Sequence, residues 1–277
     1  MIDTHSHLNF GAYKEDGAEV LQRALGKNML MINVGAQFST SQRAVKMADE
    51  QKELYSAIAL HPIHLQTKEI YEELPDGEKV KIVSRAEDFD YDKYKELALS
   101  SKKVVAIGET GIDYYHLEDD DREEQKKLQK KIFIEHIKLA NELNLPLIIH
   151  CRDAYDDLIE ILQANEAKNK GVIHCFAGNR DQAKIFLEMG FYLGFNGVIT
   201  FKNGVEELHE IIRSMPEDRI LTETDCPYLT PEPFRGKRNE PVYVEYVLKK
   251  IAMLRNWSFE KTEKVTDKNA KRLFNLS

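Results

Sequence analysis

Met1-Ile2-Asp3-Thr4-His5-Ser6-His7 opens the chain. A β-strand turns residues i and i+2 to one face, so this stretch aims the imidazoles of His5 and His7 the same way. Neutral imidazole is the commonest side-chain metal ligand. An isolated His-x-His near a terminus is ordinarily solvated surface. Here its meaning comes from polar residues that recur at the ends of later apolar runs. The runs are Met1–Thr4, Met29–Val34, Leu54–Leu60, Val104–Gly108, Pro146–Ile149, Gly171–His174, Phe191–Phe195 and Arg219–Thr222. Helix-period stretches separate them: Gly17–Leu25, Thr40–Glu50, Tyr91–Leu99, Arg122–Leu143, Ala154–Glu166, Asp181–Met189 and Gly204–Arg213. Two more, Val242–Arg255 and Phe259–Phe274, follow the last run. Eight strand–helix units predict an α/β chain folded as a single (β/α)8 TIM barrel over residues 1–277. No G-x-G-x-x-G follows the first strand, which counts against a dinucleotide-binding sheet.

Composition bounds the function. With 42% hydrophobic and 31% charged residues the chain is that of a soluble globular protein. No apolar run approaches the roughly 18–20 residues a membrane span needs, so no membrane partner is expected. Candidate ligands begin at His5, leaving no room for a signal peptide. Three cysteines without C-x-x-C spacing fit a reducing compartment, so a cytoplasmic location is expected. A net charge of −8 argues against nonspecific coating of nucleic acid but leaves room for a local basic patch. Residues 66–89 are polar and read as an insertion after the third strand, with a turn at Pro75-Asp76-Gly77 and a hairpin around Lys79–Val83. The acidic run Glu118–Glu124 suits the loop and first turn of the long helix, where negative charge favours the helix dipole.

In a TIM barrel the chemistry lies at the C-terminal ends of the strands. The polar residues fall there: His5 and His7, His61, Glu109, His150, His174 and Asp225. Clustered without partners such groups would be costly, whereas around cations they satisfy one another. Two divalent ions repel, so a carboxylate between them helps, and Glu109 on a middle strand is the natural bridge. His5, His7 and Asp225 could complete one site, because the first and eighth strands adjoin in a closed barrel; His150 and His174 could complete the other. Asp225 is also placed to take a proton from water, which makes Asp225 and Glu109 the candidate catalytic residues. Cys151 and Cys175 follow their histidines directly, and alternation would turn both away from the metals. Substrate contacts are expected from His61, Arg152, Arg235, Lys237 and Arg238, the last three in the loop after strand eight. Asp113 and Tyr114 could brace the loop beside Glu109, and Tyr114 could stack on a base.

These motifs resemble the TatD family of metal-dependent deoxyribonucleases in the amidohydrolase superfamily. The likeness runs along the whole chain: D-T-H-S-H-L-N at Asp3–Asn9, His61-Pro62, G-E-T-G-I-D-Y at Gly108–Tyr114 and His150-Cys151-Arg152. H-C-F-A-G at His174–Gly178, E-T-D-C-P at Glu223–Pro227 and R-G-K-R-N-E-P at Arg235–Pro241 complete it. The sequence departs from the family pattern at Ala59-Leu60, at Ile63 after the His-Pro pair, and in its longer segment after strand three, so no role is assigned to His64. The resemblance implies two divalent metal ions held by His5, His7, Glu109, His150, His174 and Asp225, with Mg²⁺ first and Zn²⁺, Mn²⁺ or Ni²⁺ as alternatives. It implies a metal-dependent phosphodiester hydrolase, a 3′–5′ exodeoxyribonuclease that uses a metal-activated water on single-stranded or frayed DNA 3′ ends. The competing reading keeps the centre and changes the bond, to an amide or ester as in an aminoacyl-tRNA deacylase or a small amidohydrolase; fold alone does not separate the two. A non-catalytic scaffold predicts decay of the ligand set, and none of the six positions has decayed.

Overall fold

The computed structural model describes residues 1–73, 79–117 and 120–276, without the side chains of 68–73 and 79–83. Its strands are β1 (Ile2–Ser6), β2 (Leu30–Val34), β3 (Leu54–Ile58), β4 (Lys68–Glu73), β5 (Lys79–Ser84), β6 (Val104–Asp113), β7 (Leu147–Arg152), β8 (Gly171–Ile173), β9 (Tyr192–Phe195) and β10 (Ile220–Thr222). The helices are α1 (Gly17–Leu25), α2 (Phe38–Glu50), α3 (Tyr91–Leu99), α4 (Arg122–Leu143), α5 (Tyr155–Ala164), α6 (Arg180–Glu188), α7 (Glu206–Ser214), α8 (Val244–Arg255) and α9 (Phe259–Phe274). Eight strands form one parallel sheet in the order β1-β2-β3-β6-β7-β8-β9-β10. The ring closes just beyond β10, where the Asp225 amide donates to the His5 carbonyl and the His7 amide to the Cys226 carbonyl, both at 2.9 Å. The result is a (β/α)8 barrel.

Local chemistry sets the helix ends. Asp90 and Ser258 accept from the amides of Lys93 and Lys261, and Asn179 forms a reciprocal capping box with Gln182. Asn144, Asn256 and Asn275 end α4, α8 and α9 in the left-handed conformation that asparagine tolerates. Inside the ring, Ile32, Tyr55, Val105, Ile148, Val172, Tyr192 and Leu221 pack together. Alternation then sets the next layer: the face that carries Ile148, Val172 and Leu221 carries His150, His174 and Glu223 two residues on. An apolar floor thus fixes the height of the polar groups above it. A larger cluster, including Phe133, Phe186, Leu193 and Ile251, fills the space between sheet and helices.

Two elements differ from the sequence reading. β6 was expected to stop at Gly108 but continues to Asp113, with all of its residues buried. A glycine after an apolar run looks like punctuation. Here Gly108 and Gly111 serve close packing instead: a Cβ on Gly108 would lie 2.4 Å from Ile148 Cβ, and one on Gly111 2.0 Å from the His150 carbonyl oxygen. Pairing with β7 steps from Ile107↔Leu147 to Thr110↔Ile149, so the irregularity falls at Gly108-Glu109, where the Glu109 carboxylate leaves the strand. Residues 66–89 include β4 and β5, an antiparallel pair with Lys68 opposite Ser84 and Glu73 opposite Lys79. The expected turn at Pro75-Asp76-Gly77 lies outside the described residues, as do Glu118 and Asp119 of the acidic run. Glu123 and Glu124 occupy the first turn of α4.

Candidate metal centre

The extension of β6 carries Glu109 into the middle of the histidines. Its two carboxylate oxygens face different partners. Oε2 is 3.3 Å from His5 Nε2 and 3.8 Å from His7 Nε2. Oε1 is 2.9 Å from His150 Nδ1, 3.3 Å from His61 Nε2 and 3.6 Å from His174 Nε2. Asp225 lies across from it, with Oδ1 3.3 Å from His7 Nε2 and Oδ2 3.9 Å from His174 Nε2. Three groupings among the described residues could hold a cation: His5, His7 and Glu109; His5, His174 and Asp225; and His61, Glu109 and His150. All six residues expected as ligands therefore converge on one point.

The hydrogen bonds behind the histidines decide which nitrogen is free. His7 Nδ1 sits 2.8 Å from the Val34 carbonyl and can only donate to it, leaving the Nε2 lone pair facing inward. His5 Nε2 lies 3.1 Å from that atom. Two imidazole nitrogens aimed at each other between two carboxylates fit a shared cation. His174 Nδ1 is 2.9 Å from Glu223 Oε1, and His150 Nε2 is 3.0 Å from Asp113 Oδ2, so each ring has a carboxylate behind it and a nitrogen toward Glu109. Such partners fix the ring and raise its basicity. His61 is different. Its Nδ1 accepts from the Ile63 amide at 3.2 Å, so the proton is on Nε2 and His61 faces Glu109 as a donor. Proximity alone would make it a ligand, but its tautomer makes it a hydrogen-bond donor to an anion.

Burial and charge set the protonation. Burial alone would depress His150, but hydrogen bonds to Asp113 and Glu109 outweigh it and raise the group to about 9. Burial likewise opposes His174, and the carboxylates of Glu223, Glu109 and Asp225 raise it to about 10. Against the cost of burial, the surrounding imidazoles hold Glu109 well below the carboxylate range, and His174 and His7 lower Asp225. Both raised histidines hold protons at neutral pH when no cation is bound, and a cation must displace them. Apparent affinity for Mn²⁺ should therefore rise with pH from 6 to 9, by about tenfold per pH unit for each proton displaced. Calorimetric titrations across that range check the slope; a flat profile would contradict proton displacement.

Sequence reasoning assigned Glu223 no role and gave Asp113 only a bracing one. Both are fully buried, and the clue to Asp113 was its spacing of four residues from Glu109 on a strand that looked finished. Asp3 lies under the centre, accepting from the Thr224 amide and hydroxyl, and burial raises its carboxyl to about 7 against those bonds. Cys151 packs in the outer core as expected. Cys175 does not continue the strand alternation: β8 ends at Ile173, Cys175 has φ 45°, and burial pushes its thiol up. Tyr114 is buried, its hydroxyl bonded to Asp157, and offers no face to a base. His64 sits against the Ser84 hydroxyl at 3.1 Å, tying the segment after β3 to the end of β5.

The expected substrate cations sit around the mouth, each on an aromatic ring. The guanidinium of Arg152 lies 3.7 Å from the ring centre of Tyr115, that of Arg235 3.6 Å from Phe201, and that of Arg238 4.5 Å from Tyr13. Arg238 also makes a two-pronged ion pair with Asp16, which binds the loop to the start of α1. Lys237 is exposed, its ammonium 5.8 Å from the Phe234 ring.

The profile of the family described as TatD related DNase matches residues 2–275. The chain belongs to the TatD family. A TatD-family relative from Bacillus subtilis, described as the uncharacterized metal-dependent hydrolase YabD, is 41% identical over the full length of both chains. The 3′–5′ ssDNA/RNA exonuclease TatD of Escherichia fergusonii is 30% identical, again over both chains entire. The solved structure of the TatD homologue YJJV from Escherichia coli K12 superposes with a TM-score of 0.85 at 28% identity, covering 100% of this chain and 98% of that one. This TatD protein is a metal-dependent hydrolase, and among its described residues no helix is long and apolar enough to cross a membrane.

Proposed function

We propose that the chain is a two-cation phosphodiester hydrolase that removes nucleotides from the 3′ end of DNA. The observation that carries this is the division of Glu109, with one oxygen toward His5 and His7 and the other toward His150 and His174. That division suits a carboxylate shared by two cations, with Asp225 completing the first set. When bound, divalent cations supply Lewis-acid polarisation of a phosphoryl oxygen and make water easier to deprotonate. The chain supplies the rest. Asp225, the more open of the two carboxylates, takes the proton of the attacking water at its carboxylate. His61 donates from Nε2 to a phosphate oxygen, and Asp113 and Glu223 hold His150 and His174 in orientation. Arg152, Arg235 and Lys237 at the mouth favour a polyanion, in keeping with the 3′–5′ exonuclease activity for which the Escherichia fergusonii relative is named.

End-labelled single-stranded DNA, given to metal-stripped protein with Mg²⁺, Mn²⁺ or Zn²⁺ restored, tests the reading directly. Stepwise shortening from the 3′ end that depends on metal supports it. Inert DNA alongside cleavage of an aminoacyl ester by metal-loaded protein would replace it with the ester hydrolase. The loop gives a finer test. Lys237→Ala should raise KM for DNA about threefold and reduce the salt slope of binding by about 1, because one phosphate contact is lost. Arg238→Ala should act mainly on stability, since its guanidinium is held by Asp16. An unchanged salt slope in Lys237→Ala would remove that lysine from the substrate path.

A further inference from the structure

The mouth of the barrel carries an aromatic ring that neither the fold nor the cation site uses. Among the described residues the large apolar side chains left exposed are Leu99, Tyr115, Leu128 and Met253. Leu99, Leu128 and Met253 lie on helices α3, α4 and α8, whereas Tyr115 stands in the segment that leaves β6, the strand of Glu109. Its side chain is 57% exposed. The other rings under guanidinium groups at the mouth differ: Tyr13 is buried and Phe201 is partly buried. Among the described residues only the Tyr115 ring combines a stacked guanidinium with a largely open surface.

Its setting is fixed on both sides. Arg152 is two residues beyond His150 on β7, so strand alternation puts it on the face of β7 that carries His150. The neighbouring His116 is pinned to Asp113, with Nδ1 2.8 Å from Oδ2 and its amide 3.1 Å from Oδ1. Asp113 in turn is the carboxylate behind His150. The ring therefore stands at the end of a short chain of contacts running His150, Asp113, His116, Tyr115. The His116 ring meets that of Tyr115 edge-on, with centroids 4.9 Å apart, and the residue still keeps 57% of its surface exposed. A largely exposed aromatic ring backed by a guanidinium is a stacking surface for a flat, electron-rich heterocycle, and every nucleobase has such a face. Inside a duplex those faces are occupied by neighbouring bases, and at a paired end only the outermost face is open; an unpaired base is free to offer either face and to swing onto the ring.

We infer that Tyr115, backed by Arg152, is a stacking platform for one unpaired nucleobase near the bound end, and that it selects single-stranded substrate. The inference rests on the phosphodiesterase reading and adds to it a residue that recognises the base. The platform reads the π-face and not base edges, so it is indifferent to sequence. The phenolic oxygen plays no part in stacking, so phenylalanine should serve equally.

The test uses the full chain with Mn²⁺ and 3′-terminal single strands in which each of the last four nucleotides in turn is made abasic. KM for shortening and anisotropy-detected Kd are measured for the native chain, Tyr115→Ala and Tyr115→Phe. In the native chain one abasic position should raise both constants about tenfold, the range expected for loss of one base–aromatic stack. Tyr115→Ala should show that rise already on the intact strand and no further rise on the abasic one, while Tyr115→Phe follows the native chain. An abasic penalty that persists in full in Tyr115→Ala overturns the platform and leaves the phosphodiesterase reading standing. A native chain that neither binds nor shortens any strand removes both.

Discussion

Glu109→Gln is expected to lower kcat for DNA by about 10³-fold or more and to lose bound metal, while the barrel still folds. The substitution keeps the side chain's size on a fully buried strand, so packing within β6 changes little. What it removes is the charge. Glutamine would put an NH₂ donor in place of one of two acceptor oxygens that together meet five imidazoles, and a donor facing His5 Nε2 or His150 Nδ1 cannot share a cation with them. Each cation is worth several kcal/mol of transition-state stabilisation, and about 1.4 kcal/mol corresponds to tenfold in rate, so losing even one suffices for the predicted drop. Without that carboxylate, His150 and His174 should also hold their protons less tightly, because Glu109 supports both. Metal analysis of the purified variant, imidazole titration by NMR and turnover check the three parts together. Native metal content with native turnover would remove Glu109 from the centre.

Asp225→Asn should separate binding from chemistry. The backbone here is held independently of the carboxylate: the Asp225 amide donates to the His5 carbonyl and the Tyr228 amide returns to the Asp225 carbonyl, both at 2.9 Å. Asparagine tolerates the left-handed conformation, φ 57°, that this position adopts. Folding should therefore survive, and because the asparagine oxygen can still face His7 and His174 as a neutral ligand, substrate affinity should survive with it. The amide cannot accept a proton at any relevant pH, so general-base assistance, typically 10²- to 10⁴-fold, is lost from kcat with KM little changed. At Mn²⁺ concentrations high enough to keep the centre loaded, the acidic limb of the pH–rate profile should flatten as well, since the group whose ionisation then produces it is gone. Burial pushes the Asp225 carboxyl up, but the histidines around it lower it overall, so in the native protein that limb lies at low pH. Near-native kcat in this variant would assign the proton to another acceptor.

The two variants act on different layers of the same construction. Glu109 and Asp225 sit among the histidines, whereas Asp113 and Glu223 stand behind them and decide which nitrogens look inward. A carboxylate behind an imidazole sets its orientation and basicity, and the one in front also raises its basicity while facing the position a cation would take. Carboxylates on both sides raise the proton affinity of His150 and His174, so metal binding is expected to depend on pH.

The strand–helix rhythm determined the barrel, because an apolar run followed by an amphipathic stretch can bury both only as a parallel sheet wrapped in helices. The six converging residues were legible for the same reason: each ends an apolar run, and in a closed ring all such ends meet. Spacing along one chain could not tell that β6 runs on through two glycines to Asp113, since a glycine that ends a strand and one pressed against the next strand read alike. Nor could it tell which imidazole nitrogen faces inward, which separates His61, a donor, from His150, a ligand candidate. It offered Tyr114 as a ring that could stack and said nothing of Tyr115, yet the fold buries the first against Asp157 and leaves the second largely exposed on Arg152. Residue types and their order decide what can gather at the mouth of a barrel. Which atoms face one another is decided by contacts between elements distant in sequence, and only the folded chain contains them.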